Sequence, residues 1–293
     1  MSEEESLIQK EKNKVKAIGL MLFSAFSFAI MGVFVKALED IPSFEKALFR
    51  NLISLIIVLA VLYKRKESPW GHKDNRKYLL GRGIFGTLGL LSFFYALDTL
   101  YLADASMLNR LSPFFVILFA AIFLKEKIRK YQMFSVFIAL LGVLLIVKPS
   151  FEFQESLPAL IGLMSGVFAG IAYVFVSYLG KKESPYTIVF YFSFISTIVT
   201  GIIIIPHYVS PNFIELVLLI GTGITASIGQ FALTYAYKYA PAGEVSIYNY
   251  SNIIFAGILG FIFFSEMPDI LSLMGYVFIV FAGYIIYKYG KGK

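Results

Sequence analysis

Apolar runs separated by short polar connections recur ten times along the chain, at 17–38, 44–63, 78–98, 103–124, 131–148, 158–180, 186–205, 213–237, 243–264 and 270–288. Each is close to the ~20 mainly apolar residues that carry a helix across a bilayer. The pattern therefore predicts an all-α membrane protein with ten transmembrane helices. A second pattern lies over the first. The stretch Gly81 to Glu126 aligns without a gap on Gly221 to Glu266, 140 positions later, with identical residue types at 12 of 46 positions. Apolar composition readily produces chance matches of Ile, Phe and Ala. It does not readily align Asn109 with Asn249, or Glu126 with Glu266, in hydrophobic surroundings.

Fainter echoes extend the duplication to the first spans: Ile18-Gly19-Leu20-Met21 returns as Ile161-Gly162-Leu163-Met164, and Val33-Phe34-Val35 as Val174-Phe175-Val176. Each half holds five spans, an odd number, so the second must enter the membrane from the opposite side. The expected organisation is a tail at 1–16, a first five-helix repeat at 17–148, a loop at 149–157, an inverted second repeat at 158–288 and a tail at 289–293. Inverted repeats recur in secondary transporters, because exchanging the conformations of the halves turns an outward-open site near the midplane into an inward-open one.

Composition agrees: 58% of the 293 residues are apolar and 15% charged, against about a quarter charged in a soluble domain. The spans leave no length for a soluble catalytic or nucleotide-binding domain. With no Cys, disulfides, thiolate metal sites and cysteine nucleophiles are excluded, and the only two His, His72 and His207, both fall in loops. No metal, cofactor or enzymatic activity is expected. The net charge of +7 suggests a polyanionic partner until it is mapped onto the loops. Twenty Lys and Arg then fall on one side and one, Lys148, on the other. That asymmetry places both termini in the cytoplasm of an inner or plasma membrane and requires no nucleic acid. The polar start lacks a secretory h-region, so no cleaved signal peptide is expected.

Polar side chains inside spans are costly and face a cavity or one another. Spans four and nine, equivalent in the repeat, hold the densest sets: Ser106, Asn109, Arg110 and Pro113 on one, Ser246, Tyr248, Asn249, Tyr250, Ser251 and Asn252 on the other. Pro113 has no N–H for the carbonyl of Asn109, so span four is expected to bend there. Ile253 replaces that proline in the second half, so span nine is expected to keep the Asn without the kink. Asn109 and Asn249 bracket the midplane by helical rise, either as substrate ligands or as interhelical hydrogen bonds.

Arg50 on span two reaches nearly the depth of Arg110, and two cations there call for a partner. Asp98 or Asp104 is one candidate for Arg110, and an anionic group of a substrate, such as a carboxylate, is the other. Tyr95, Tyr173, Tyr235 and Gln230 complete the candidate lining, while Lys36, Lys46 and Arg82 lie close enough to helix ends to snorkel. Three further motifs carry no chemistry. Gly81-Arg82-Gly83-Ile84-Phe85-Gly86 has the dinucleotide spacing, but opens a membrane span instead of joining a strand to a helix. Asn249-Tyr250-Ser251 is a glycosylation sequon buried in a span. Gly162, Gly166 and Gly170 read as a helix-contact stripe.

Arg50, Tyr95-Ala96-Leu97, Ala105-Ser106, Ser112-Pro113, Glu126, Gln132 and Gly142-Val143, with Tyr235-Ala236, Ser246, Glu266, Gly275 and Gly283 in the second half, resemble the EamA-type members of the drug/metabolite transporter superfamily over nearly the whole chain. The resemblance implies a central cavity lined by spans one, three, four, six, eight and nine, and alternating access without ATP. The function expected is secondary transport of a small polar or amphipathic metabolite, best an amino acid or related carboxylate-bearing solute, by a monomer in the bilayer. The alternatives are a multidrug or lipophilic-cation exporter, which needs a deep carboxylate, and a non-transporting receptor or scaffold.

Overall fold

The computed structural model describes residues 3–100, 108–147, 156–265 and 267–290. Its long helices are α1 (Glu3–Lys36), α2 (Ser43–Arg65), α3 (Arg76–Thr99), α4 (Ser112–Phe123), α5 (Lys130–Val147), α6 (Ser156–Leu179), α7 (Pro185–Ile204), α8 (Phe213–Tyr239), α9 (Ser251–Phe264) and α10 (Ile270–Gly290). By length and composition, eight stretches suffice to cross a membrane; the described parts of α4 and α5 are apolar but shorter. No strand occurs among the described residues.

Helix ends follow local chemistry. Lys66 adopts a left-handed φ of 55° after α2, and its N–H reaches the carbonyls of Leu62 and Tyr63, which satisfies the last turn. Asn212 and Glu215 form a capping box at the start of α8, the Asn side chain accepting from the Glu215 N–H at 2.9 Å and Glu215 from the Asn212 N–H at 2.7 Å. Along the outer faces, Phe134, Phe137, Ile262, Val277 and Val280 are exposed. Such a girdle is tolerable because lipid, not water, covers it.

The packing partners obey one rule. α1 packs on α8 and α3 on α6; α2 packs on α8 and α3 on α7; α1 packs on α9 and α4 on α6; α2 meets α7 and α5 meets α10. Exchanging the first five helices for the last five returns the same set of pairs. The rule extends to single residues. A Cβ on Gly81 would meet Phe175 at 2.8 Å and one on Gly221 would meet Phe34 at 3.1 Å; a Cβ on Gly83 would collide with Ile195 and one on Gly223 with Ile53. Phe34 and Phe175 are the residues paired by the fainter echo in sequence. The repeated Gly-x-Gly thus admits side chains from the opposite half.

Two acids at helix starts repeat the scheme. Glu45 of α2 accepts from the Val209 N–H at 3.0 Å, in the loop after α7. Glu183, just before α7, accepts from the His72 N–H at 3.0 Å and from Asn75 Nδ2 at 2.7 Å, in the loop after α2. Each half therefore ties down a loop of the other.

Candidate functional site

The chain before α4 is interrupted. Leu108 and Asn109 are helical, Arg110 and Leu111 form a turn, and helix resumes at Ser112 with Pro113 in its first turn. Proline is well accommodated there because the first N–H groups of a helix have no internal partner. The expected bend is thus a break. The expectation for the second half is corrected: a one-turn helix at Ala242–Val245 leads into a 3₁₀ segment, Ser246–Tyr250, and α9 restarts at Ser251. The interruption falls at the position equivalent to Arg110, without a proline. Ser251 Oγ donates to the Tyr248 carbonyl at 2.6 Å, which occupies an oxygen that a continuous helix would have bonded internally.

Arg110 projects from the first break and its Nη2 donates to Asn252 Oδ1 at 2.5 Å; Asn252 Nδ2 in turn donates to the Ala25 carbonyl at 2.8 Å. One side-chain chain therefore joins the turn before α4 to α9 and α1. Arg50 donates to Asn51 Oδ1 at 3.3 Å, and its guanidinium lies 5.7 Å from the Phe192 ring centre. The same ring receives Arg82 at 4.3 Å. Arg82 is only 2% exposed, with Nε and Nη1 buried and without a hydrogen-bond partner. The snorkelling expected of Arg82 is thereby overturned. A Cβ on Gly86 would collide with Arg82 Nη1, so the glycine lets the guanidinium lie along its own helix and over Phe192.

Tyr173 is the electrostatic neighbour shared by Arg50, Arg82 and Arg110, and it stacks on Tyr237 with centroids 5.7 Å apart. Tyr250 neighbours Arg110, and its hydroxyl is buried without a partner, as are Ser246 Oγ and Gln230 Nε2. Among the described residues no carboxylate pairs with any of the three arginines. The side chain of Asp98 and the whole of Asp104 and Ser106 lie outside the described residues. Removing a guanidinium from water costs several kcal/mol even after relaxation, so each buried guanidinium calls for an acceptor.

The other expected residues divide. Asn109 Nδ2 donates to Ser165 Oγ at 3.2 Å, an interhelical bond between α6 and the segment before α4. Asn249 is partly accessible on the 3₁₀ segment, and Tyr95 is partly accessible on α3. Tyr235 lies apart from the arginines, in a row of rings with Tyr186 and Tyr239 near Arg65, its hydroxyl 3.4 Å from that of Tyr186. Gly166 and Gly170 approach the Leu108 carbonyl and Phe115 Cβ at 2.8 and 2.6 Å, so the stripe on α6 serves contact. Two clefts of about 350 and 370 Å³ open between α1, α9 and α10 and between α5 and α10; neither is lined by an arginine. Sequence reasoning missed Arg82 as a central residue, Asn252 as the partner of Arg110, and Tyr237 as the ring facing Tyr173.

A separate knot ties the halves where the tails lie. Glu126 accepts from the Ala242 and Gly243 N–H groups at 3.2 and 3.1 Å, Gln132 Nε2 donates to the Gly243 carbonyl at 3.1 Å, and Lys14 pairs with Glu244 at 2.7 Å. Burial pushes the Glu126 carboxyl above the usual carboxylate range, although the two backbone N–H groups oppose the shift. The folded state therefore holds its proton to higher pH than the unfolded chain does. Its contribution is greatest in acid and falls as pH rises through the raised value. Glu126→Gln is expected to remove that slope: from the usual carboxylate range upward, the unmodified protein loses melting temperature relative to the variant.

Eight helices long and apolar enough to cross a membrane, with halves that pair crosswise, define a multi-pass membrane protein. The EamA-like transporter family model matches twice, at residues 15–148 and 156–288, and the chain belongs to that family. It is 36% identical over 275 residues to the Pseudopaline exporter CntI of Pseudomonas aeruginosa, covering 93% of this chain and 96% of that one. It is 30% identical over 289 residues to Solute carrier family 35 member G1 of Homo sapiens, covering 92% and 79%. A solved crystal structure 15% identical in sequence shares the fold with a TM-score of 0.82 over 93% of this chain and 96% of the other.

Proposed function

We propose that the chain is a secondary transporter of ten spans in two oppositely oriented five-helix halves, 17–148 and 158–288. In this reading it moves an amino acid or related carboxylate-bearing solute by alternating access, without ATP. The observation that carries the reading is the trio Arg50, Arg82 and Arg110 around Tyr173, with no described acid beside them. A centre of that charge attracts anions and repels lipophilic cations, which disfavours the drug-exporter alternative. The pairing of helices under exchange of the halves supports inversion. So does the sorting of loop contacts: Lys14, Glu126 and Glu244 meet at one end, whereas Glu45 and Val209 meet at the other.

Breaks at equivalent places in two helices are the feature that carriers of this architecture use to present backbone and side-chain groups to a solute. The relative that exports pseudopaline lends outward movement across a plasma membrane as the direction. The test is exchange in proteoliposomes loaded with unlabelled alanine, glutamate or succinate and presented with the same labelled solute. Saturable exchange of at least one is expected; none across a panel of amino acids and carboxylates overturns the assignment.

A further inference from the structure

Arg110 alone would suffice for a single carboxylate, yet the centre holds two more guanidiniums. Arg50 and Arg82 share the Phe192 ring, on α7, whereas Arg110 hangs from the broken segment before α4 and is bonded to Asn252. Arg82 is the informative one: 2% exposed, with two nitrogens aimed at no acceptor. Buried donors left unpaired are costly, and a charged donor more so. The two groupings flank one helix: α3, which carries Arg82, packs on α6, and Asn109, next to Arg110, donates to Ser165 of α6, while Tyr173 of α6 is the electrostatic neighbour of all three arginines.

We infer that Arg82, with Arg50, forms a second anion subsite beside Arg110, and that the transported solute carries at least two acidic groups, one for each. This rests on the transport reading above and narrows its substrate class. Guanidinium forks match carboxylates in geometry as well as in charge. A solute with one carboxylate leaves Arg82 as it stands now; one with two supplies its missing acceptors.

The test measures affinities of the full chain in nanodiscs for acetate and alanine, with one carboxylate each, and for succinate and citrate, with two and three. Ligand-induced shifts in melting temperature report binding to the folded state. Succinate and citrate are expected to bind at least tenfold more tightly than acetate. Arg82→Gln is expected to abolish that ratio. Gly86→Ala, which keeps the charge and displaces the guanidinium, is expected to do the same and decides the matter if Arg82→Gln fails to fold. An equal affinity for acetate and succinate, or a ratio unchanged in the variants, overturns the inference. Single-carboxylate binding that depends on Arg110 with a flat ratio defeats the second subsite alone. No carboxylate binding at all defeats the transport reading with it.

Discussion

Reconstituted Arg110→Ala protein is expected to exchange carboxylate-bearing solutes at least tenfold more slowly than the unmodified chain, with most of the loss in apparent affinity. Two losses combine. The charge-assisted bond to an arriving carboxylate disappears, worth about 1.5–3 kcal/mol when both partners are desolvated. Asn252 also loses its donor and is left with an unpaired Oδ1, while its other bond, to the Ala25 carbonyl, persists. Since 1.4 kcal/mol is a factor of ten, a ten- to hundredfold effect follows. Arg110→Lys keeps the charge but not the fork, and should recover only part of it. The bundle is expected to remain folded, because one bond between the turn before α4 and α9 is a small share of the packing. Wild-type exchange by Arg110→Ala, measured beside an intact melting transition, would remove Arg110 from the site.

Gly142→Val and Gly275→Val are expected to be the most damaging single changes to stability among the helix-crossing glycines. α5 and α10 meet there backbone to backbone: a Cβ on Gly142 would lie 2.7 Å from the Gly275 carbonyl oxygen, and one on Gly275 would lie 2.5 Å from that of Gly142. A flexible side chain can turn aside from such an intrusion, but a carbonyl in a helix cannot, so the helices must separate. Overpacking of this kind costs about 1–3 kcal/mol or more, read as a drop in melting temperature in detergent. Gly201→Ala is the control, since its Cβ would meet only Leu48 Cδ1 at 3.7 Å. There the helix propensity of Ala should leave stability unchanged or slightly raised.

The positions of the helices were legible because lipid imposes runs of apolar residues whose length the bilayer sets. The repeated glycines were legible as a motif, and their partners Phe34 and Phe175 were visible in the fainter echo. What the repeat could not supply was the register of one half on the other. Arg82 stands near the end of its span, where a long cation ordinarily reaches the interface; its burial comes from Phe192, on α7, and from the room at Gly86.

Tyr235 and Tyr237 stand about 200° apart on one helix. In a segment apolar all round, nothing in the sequence said which of them faces Tyr173. The break in span nine went unseen because it was sought in a proline. It is made instead by 3₁₀ geometry and the Ser251 hydroxyl. Asn252 was visible as a polar residue in span nine, but its bond to Arg110 spans 142 positions and depends on how α9 lies against the segment before α4.

The absence of cysteine makes every introduced thiol an unambiguous reporter, and the loops after α2 and α7 occupy equivalent places in the two halves. Ser68→Cys and Ser210→Cys, made singly and treated with a membrane-impermeant thiol reagent on intact cells, test whether those halves face opposite ways. Ser210→Cys is expected to react from outside while Ser68→Cys reacts only after the membrane is opened. Both thiols reacting from the same side would contradict the inverted arrangement and the transport cycle built on it.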